Sequence, residues 1–296
     1  MGIEVSIIIP NWNGGDVLTE CLKSILVHTR SPSFELIIVD NGSTDSSPRS
    51  IRQLAESDNR VKPIFNRENL FFARACNQGF EISTGRYVIV ANNDIVLQDD
   101  AVKALIEYAD AHPAVGAVTP RFCDRGGTPQ EFFRRLPNAI FVIAHYHPIG
   151  RVIDRFLLGR RIQNAYFLRN TSFDQVEVVD QPGASFSLLR RVDIDATGVL
   201  FDERFPLLFN DVDLFRRLKE AGFASHVLPD TMVIHLEGIS SEKLDQSVYQ
   251  SHQYRGMFEF FKKHHPLQYP ILCIAWPLHW FRARSGNSTK TGVRSI

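Results

Sequence analysis

Short β-branched runs alternate with helical patterns through the first half of this chain, and this alternation strongly limits its possible folds. Apolar runs of strand length occupy residues 5–9, 36–39, 61–65 and 87–91. Between them, apolar residues recur at three- and four-residue spacing, which is typical of helices with one buried face. A strand, helix and strand in succession build a parallel sheet. The pattern therefore predicts an α/β protein with a mostly parallel central sheet.

Helix boundaries follow from local capping signals. Asp16 is predicted to cap the first helix, and Ser47 the second, with Pro48 at its first helical position. A third helix is predicted over residues 72–82 and a fourth around 101–109. Residues 119–175 lose all periodicity, which predicts irregular structure covering the sheet. Further strands are predicted at residues 176–179, 224–228 and 232–235, and a helix at 211–221 that ends at Gly222.

Charge and cysteine content exclude several classes of protein. The 33 basic residues balance the 33 acidic ones, so a nucleic-acid partner is not expected. Four widely spaced cysteines without a CxxC pair favour buried thiols in a reducing, cytoplasmic compartment. The N-terminal apolar run is too short and too acidic for a signal peptide. Residues 269–281 would reach only about 20 Å as a helix, too short to span a membrane.

Polar residues follow three of the predicted strands, at the edge where α/β proteins bind ligands. Asp40 and Asn41 could pair with a base or ribose, or form an Asx turn. The run from Asn92 to Asp94 suits a divalent cation that also holds phosphate oxygens, although Asp94 could equally cap a helix. His235 ends another strand and is either a metal ligand or structural.

Residues 206–222 carry an amide and two acids at a helix start, followed by three bases. This distribution also complements the helix dipole, so spacing alone does not establish a function. Asp211 and Asp213 lie about 200° apart around a helix, so both cannot face one pocket. We expect Asp211 to project toward the sheet edge and Asp213 to serve the helix N-terminus. The chain contains neither GxGxxG nor a phosphate-binding P-loop.

Seven segments in order resemble family 2 glycosyltransferases of the GT-A fold, particularly the rhamnosyltransferase-like branch. They are VSIIIPNWNG, LIIVDNGSTDSS, NRENLFFARACNQG, GRYVIVANNDI, GASFSLLRR, LFDERFPLLFNDVDLFRRLKEAGF and VIHLEGIS. The resemblance implies a single Rossmann-like GT-A domain over residues 1–240. Residues 241–296 are expected to form a C-terminal helical extension.

The resemblance also implies roles for individual residues. Pro10, Asn11 and Asn13 would line the nucleotide pocket and Asp40 would read the base. Asn92 to Asp94 would occupy the DxD position, with Asp94 and His235 holding Mg²⁺ or Mn²⁺, although Asn92 replaces the first acid. Asp211 would be the general base, although Asn210 replaces the usual glutamate before it. The remaining donor-site residues implied are Asn41, Asn77, Asn93 and Ala184, with Ser185 beside Ala184 beneath the sugar.

The expected activity is inverting transfer of a sugar, with rhamnose the first choice, from a nucleotide-sugar donor. The acceptor would be a glycan or a polyprenyl-linked molecule in polysaccharide synthesis. A sugar-phosphate nucleotidyltransferase is a second interpretation, but the loop at residues 11–15 lacks the basic residue it needs. A non-catalytic sugar-nucleotide or glycan-binding protein is the third, favoured by the amides at positions 92 and 210.

Residues 253–280 interleave aromatic residues with cations. This composition suits a segment that lies peripherally on the inner face of the plasma membrane. Alternatively, the aromatic residues cover the core or a dimer contact. The residues concerned are Phe258, Phe260, Phe261, Trp276 and Trp280, with Lys262, Lys263, His264 and His265.

Overall fold

A computed structural model describes residues 2–30, 33–158, 160–236 and 245–276. The described residues form two compact units. The first comprises residues up to 136 together with those from 164 to 236, and the second comprises residues of 137–163 and 245–276. This grouping differs from the predicted division at residue 240, because residues 137–163 pack with the C-terminal helices.

The first unit is built on a nine-stranded mixed sheet in the order β3-β2-β1-β4-β8-β6-β9-β5, with β7 paired to β9. Strands β3, β2, β1 and β4 are parallel, as predicted, whereas β8 runs antiparallel to both β4 and β6. The α/β class predicted from the sequence is confirmed. The strands are β1 Val5–Asn11, β2 Phe34–Asp40, β3 Val61–Phe65, β4 Tyr87–Ala91, β5 Ile95–Val96, β6 Val115–Cys123, β7 Glu177–Val179, β8 Phe186–Arg190 and β9 Ala224–His235.

Helices cover both faces of this sheet and also build the second unit. The two predicted caps are displaced by two residues and by one residue: Gly14 and Ser46 precede the helices, while Asp16 and Ser47 lie inside them. Gly222, with φ +89°, ends a helix as predicted. The helices are α1 Gly15–His28, α2 Ser47–Ser57, α3 Phe71–Ile82, α4 Ala101–Ala111, α5 Ala139–Tyr146, α6 Pro148–Phe156, α7 Arg161–Tyr166, α8 Arg191–Thr197, α9 Asn210–Glu220, α10 Gln246–His264 and α11 Tyr269–Ala275.

Successive side chains of β1 point to opposite faces of the sheet, and the core of the first unit accordingly has two layers. Ile7 and Ile9 pack in the layer that contains residues of α1 and α4, whereas Ile8 packs with residues of α3 and α9. Successive strand residues point to opposite faces, so a fully apolar strand requires helices on both sides. Gly79 of α3 allows close approach, since a Cβ there would lie 2.5 Å from Ile8 Cγ2.

Several elements differ from the sequence prediction. The stretch 119–175, predicted as irregular, contains the end of β6 and three helices, α5 to α7. Strand β8 and helix α8 were not predicted. The two strands predicted at 224–228 and 232–235 form one continuous strand, β9, whose pairing with β6 shifts register between Pro120 and Arg121.

The second unit contains α5, α6, α10 and α11 and buries most of the aromatic residues singled out above. Phe258, Phe260, Phe261 and Trp276 are all at most 5% exposed. Their burial favours the alternative that these four side chains cover a core, and membrane contact of the segment stays a prediction. Trp280 lies outside the described residues. Among the described helices, none is both long and apolar enough to cross a membrane.

Candidate functional site

Polar side chains at the carboxyl ends of the parallel strands β1, β2 and β4 contact one another. Asn11 and Asp40 end β1 and β2 in direct register. The Asn11 amide Nδ2 donates to Asp40 Oδ1 at 2.9 Å, and Asn93 Nδ2 donates to Asn11 Oδ1 at 2.8 Å. The structure therefore brings together three of the residues that the sequence assigned to the donor site.

The loop after β1 packs closely against the loop after β2. Asn13, with φ +53°, donates its backbone N–H to Ser43 Oγ at 2.8 Å. Asp40 Oδ2 accepts the Ser43 N–H at 3.1 Å, a bond to the residue three positions on, where an Asx turn would reach only two. A Cβ on Gly14 would lie 2.3 Å from Asn11 Oδ1, which explains why a glycine lies under this amide. Asp40 retains lone pairs for a ligand, because each carboxylate oxygen can accept two hydrogen bonds.

Asp94 and His235 form a second polar cluster at the same edge. The pairing of Ile95 with His235 between β5 and β9 places the preceding Asp94 beside the imidazole. Asp94 Oδ1 lies 3.4 Å from His235 Nε2, and both residues are buried. Asp94 Oδ1 and His235 Nδ1 are nevertheless without a hydrogen-bond partner among the described residues.

Asn92 joins this cluster through Ser185. Its Nδ2 donates to Ser185 Oγ at 3.1 Å and lies 3.4 Å from His235 Nε2. The Asn92 backbone N–H also donates to the Ser185 carbonyl at 2.8 Å. Ala184, which was assigned to the space beneath the sugar, precedes Ser185 and is buried. The first DxD position is thus an amide fixed by its neighbours.

Aromatic residues form one wall of the cluster. The His235 ring lies 5.6 Å from Phe122 and 5.4 Å from Phe132, and Gln130 Nε2 donates to the His235 carbonyl at 2.9 Å. Gly183, with φ +77°, has no room for a Cβ, which would meet Phe132 at 2.2 Å. Phe122, Gln130 and Phe132 were missed in the sequence. They lie in the stretch without periodicity, which gave no signal.

The carboxylate and the imidazole of this cluster could hold a divalent cation. A buried carboxylate oxygen without a partner is costly unless a ligand or a charge satisfies it. The described residues contain no group of three or more His, Cys, Asp or Glu side chains that could hold a metal ion. An ion held by this carboxylate and imidazole would have to complete its shell with substrate phosphates and water, as Mg²⁺ commonly does.

The two acids at the start of α9 have different environments. Asp211 is partly exposed, and its Oδ1 accepts the Val212 N–H at 2.8 Å. Burial raises the pKa of Asp211, and the Val212 N–H and the Arg134 charge offset this only in part. Asp213 is fully buried and its Oδ2 accepts from Arg217 Nε at 2.8 Å. Asp213 therefore has a structural role. It pairs with Arg217 and also lies in the first turn of the helix, as predicted.

Three other predicted site residues have contacts within the fold. The Asn77 amide donates to the Phe201 carbonyl at 2.9 Å and accepts the Phe201 N–H at 3.0 Å, which ties α3 to the segment before α9. Asn41 Nδ2 donates to the Phe71 carbonyl at 3.2 Å. Pro10 lies inside β1 opposite Val39.

Comparisons with known proteins identify a family for this chain. The sequence profile described as Glycosyl transferase family 2 matches residues 6–195. The N-acetylglucosaminyl-diphospho-decaprenol L-rhamnosyltransferase of Mycobacterium tuberculosis is 26% identical over 86% of this chain and 82% of its own length. Glycosyltransferase GlyG of Streptococcus pneumoniae is 30% identical over 38% of each chain. The uncharacterized protein y4gI of Sinorhizobium fredii is 28% identical over 80% of this chain, which spans only 25% of that protein.

Solved structures show the same fold. The mannosyltransferase PcManGT of Pyrobaculum calidifontis, solved in complex with GDP-Man and Mn²⁺, superposes with a TM-score of 0.59 at 16% identity, covering 97% of this chain and 76% of that one. S. aureus TarS gives 0.56 at 15% identity, covering 88% and 44%. The family profile covers more than half of the residues, and the chain belongs to glycosyl transferase family 2.

Proposed function

We propose that the protein is an inverting glycosyltransferase that transfers a sugar from a nucleoside diphosphate to a hydroxyl group. The observation that carries this proposal is the buried pair Asp94 and His235, each with a polar atom that no described residue satisfies. The pair lies at the carboxyl edge of the sheet, where α/β proteins bind ligands. Membership of the family supports the reaction class.

The donor nucleotide would bind at the ends of β1 and β2. Asp40 presents acceptor oxygens there, and the linked Asn11 and Asn93 amides hold the loop in place. We propose rhamnose as the transferred sugar and a glycan or polyprenyl-linked acceptor, because the Mycobacterium relative that matches most of the chain bears the name of such an enzyme. Polysaccharide synthesis is the corresponding cellular role.

Asp94 and His235 would hold a Mg²⁺ or Mn²⁺ ion together with the donor diphosphate. Such an ion, when bound, neutralises charge that develops on the departing nucleoside diphosphate. Asn92 keeps the DxD position polar without adding a second negative charge. Phe122 and Phe132 exclude water from one side of the imidazole, which strengthens electrostatic interactions at the cluster.

Asp211 would accept the proton of the acceptor hydroxyl. The hydroxyl oxygen forms a bond to the anomeric carbon while the bond from that carbon to the diphosphate oxygen breaks, in one displacement that inverts the configuration. The raised pKa makes Asp211 a stronger base than an exposed aspartate. The buried Asp213, neutralised by Arg217, is not available for this step.

A non-catalytic sugar-nucleotide-binding protein is the second candidate. It is favoured by the amides at positions 92 and 210, where the family pattern has acids. Such a protein would bind the donor without releasing nucleoside diphosphate. Donor hydrolysis, even slow, separates the two candidates.

The test begins with a panel of nucleotide sugars, screened with Mn²⁺ for an increase in melting temperature, because a bound donor stabilises the folded state. Donors that stabilise the protein are then assayed for release of nucleoside diphosphate. We expect release that stops in chelator and that Asp94→Ala and His235→Ala each abolish. Wild-type turnover and metal response in both variants would show that the assigned site is wrong. Stabilisation without release would favour the binding protein.

A further inference from the structure

Helix α6 carries an apolar stripe whose side chains are exposed. Its residues recur at positions i, i+3, i+4, i+7 and i+8, the pattern of an amphipathic helix whose apolar side is normally buried. Here the side chains are 42–77% exposed. The stripe consists of Ile149, Val152, Ile153, Phe156 and Leu157.

Two other residues fix the side of α6 that packs against the protein. Asp154 is fully buried and its Oδ1 accepts the Ile162 N–H at 3.1 Å. A Cβ on Gly150 would lie only 2.1 Å from the carbonyl oxygen of Ile143, so this side of α6 lies directly against the backbone of α5. A rotation that buried the stripe would break both contacts. The packing of α6 within the second unit therefore fixes the stripe in its exposed orientation.

The segment that carries the stripe is strongly basic. Arg151, Arg155, Arg160 and Arg161 all lie within residues 137–163, where the buried Asp154 is the sole acidic residue. The chain as a whole is neutral, with 33 basic and 33 acidic residues, so this is a local concentration. The Arg155 guanidinium lies 5.3 Å from the centre of the Phe156 ring, which places a cation at the stripe.

An apolar stripe bordered by arginines is typical of helices that lie in the headgroup region of an anionic bilayer. Arginine side chains can bury their methylene groups while the guanidinium stays among phosphates. A second copy of the chain is a less suitable partner for the stripe, because a two-fold contact would bring two sets of four arginines toward each other. At 9 residues, α6 extends only about 14 Å and is too short to span a membrane.

We propose that the stripe of α6 docks the protein on an anionic lipid surface. This inference goes beyond the donor site and does not depend on the proposed activity. It also differs from the interpretation of the aromatic residues in α10, which are buried.

The test is flotation of the full chain with vesicles of phosphatidylcholine alone, or of phosphatidylcholine and phosphatidylglycerol in equal parts. The stripe variant is Phe156→Ser with Leu157→Ser. The matched control is Val178→Ser with Val192→Ser, since these first-unit valines are 67% and 70% exposed. A charge variant combines Arg151→Glu with Arg155→Glu. Circular dichroism and melting temperature verify that each variant is folded.

We expect the wild type and the control to float with the anionic vesicles only. The stripe variant should partition about tenfold more weakly or worse, because its apolar insertion is lost. The charge variant should lose binding to the anionic vesicles. Equal flotation of the stripe variant and the control would overturn the proposal, as would no flotation of the wild type. A dimer that only the stripe variant abolishes would assign the stripe to contact between copies instead.

Discussion

Each end of the parallel strands contains a buried carboxylate, and the two differ in their hydrogen bonding. At the amino end, Glu35 Oε1 accepts from Ser6 Oγ at 2.6 Å and from the Thr84 N–H at 2.6 Å, while Oε2 pairs with Lys62. At the carboxyl end, Asp94 is similarly buried, yet its Oδ1 has no hydrogen-bond partner among the described residues. The difference indicates that one end of the sheet maintains the fold and the other end is arranged for a ligand.

The same contrast occurs within one turn of α9. Asp213 is buried and paired with Arg217, whereas Asp211 has no ion pair within the described structure and has a raised pKa. Removing one partner of a buried ion pair is strongly destabilising, whereas a buried carboxylate without a counter-ion is a candidate for a functional role. The predictions below separate the two kinds of carboxylate.

The largest effect is expected at Asp211. Asp211→Asn removes the proton acceptor and should lower turnover by about a thousandfold. Donor affinity should not change. Because burial raises the pKa of Asp211, its charged form is disfavoured in the folded state, so the neutral amide should leave the melting temperature equal or slightly higher. Turnover, donor binding and melting temperature measured together check this.

Asp213→Asn should show the reverse pattern. It leaves the Arg217 guanidinium buried without its counter-ion, at a cost of about 3 kcal/mol in the free energy of unfolding. Turnover per folded molecule should be largely retained. Urea unfolding and turnover at low temperature measure the two quantities. An active Asp211→Asn protein beside a folded but inactive Asp213→Asn protein would reverse the assignment.

Glu35→Gln tests the amino end of the sheet. We expect it to lower the free energy of unfolding by about 2 kcal/mol, because the charge that Ser6, Thr84 and Lys62 stabilise is lost. The effect is moderate since the Lys62 side chain is 43% exposed and can be solvated. Donor affinity should equal that of the wild type. A loss of donor affinity would contradict the separation of the two ends.

The pH dependence of stability should reflect Glu35 to a smaller extent. Burial raises its pKa, but the hydrogen bonds from Lys62, Ser6 and Thr84 outweigh burial and hold the pKa below its usual value. A lowered pKa in the folded state stabilises the protein above the unfolded pKa of about 4.3, and this contribution disappears as the pH falls through the folded value. The difference in melting temperature between the wild type and Glu35→Gln should therefore shrink on acidification.

The sequence predicted the first four strands and helices because their period is regular. It failed over residues 119–175 for a physical reason that α6 illustrates. The apolar stripe of α6 is exposed, so hydrophobic period gives no guide to what is buried there. Strand β9 was divided in two because Pro229 and Asp230 interrupt its apolar pattern, although the strand continues through a shift in the register of its pairing.

For the site, the family resemblance predicted the residues that end strands, and the structure brings Asp94, His235 and Asn92 together. It could not predict the wall formed by Phe122 and Phe132, which depends on how a non-periodic segment returns to the sheet. It also could not show that the Asn77 amide is engaged with Phe201. Long-range packing decides such contacts, and no local pattern encodes them.

The most direct measurement of the central claim is the melting temperature of Asp94→Asn with and without Mn²⁺ and a nucleoside diphosphate sugar. We predict that the unliganded variant is at least as stable as the wild type, because the substitution removes a buried charge whose Oδ1 accepts no hydrogen bond from the described residues. We also predict that the metal-dependent increase seen in the wild type is lost, while Glu35→Gln keeps it. A variant that is stabilised by Mn²⁺ and donor as strongly as the wild type would contradict the account.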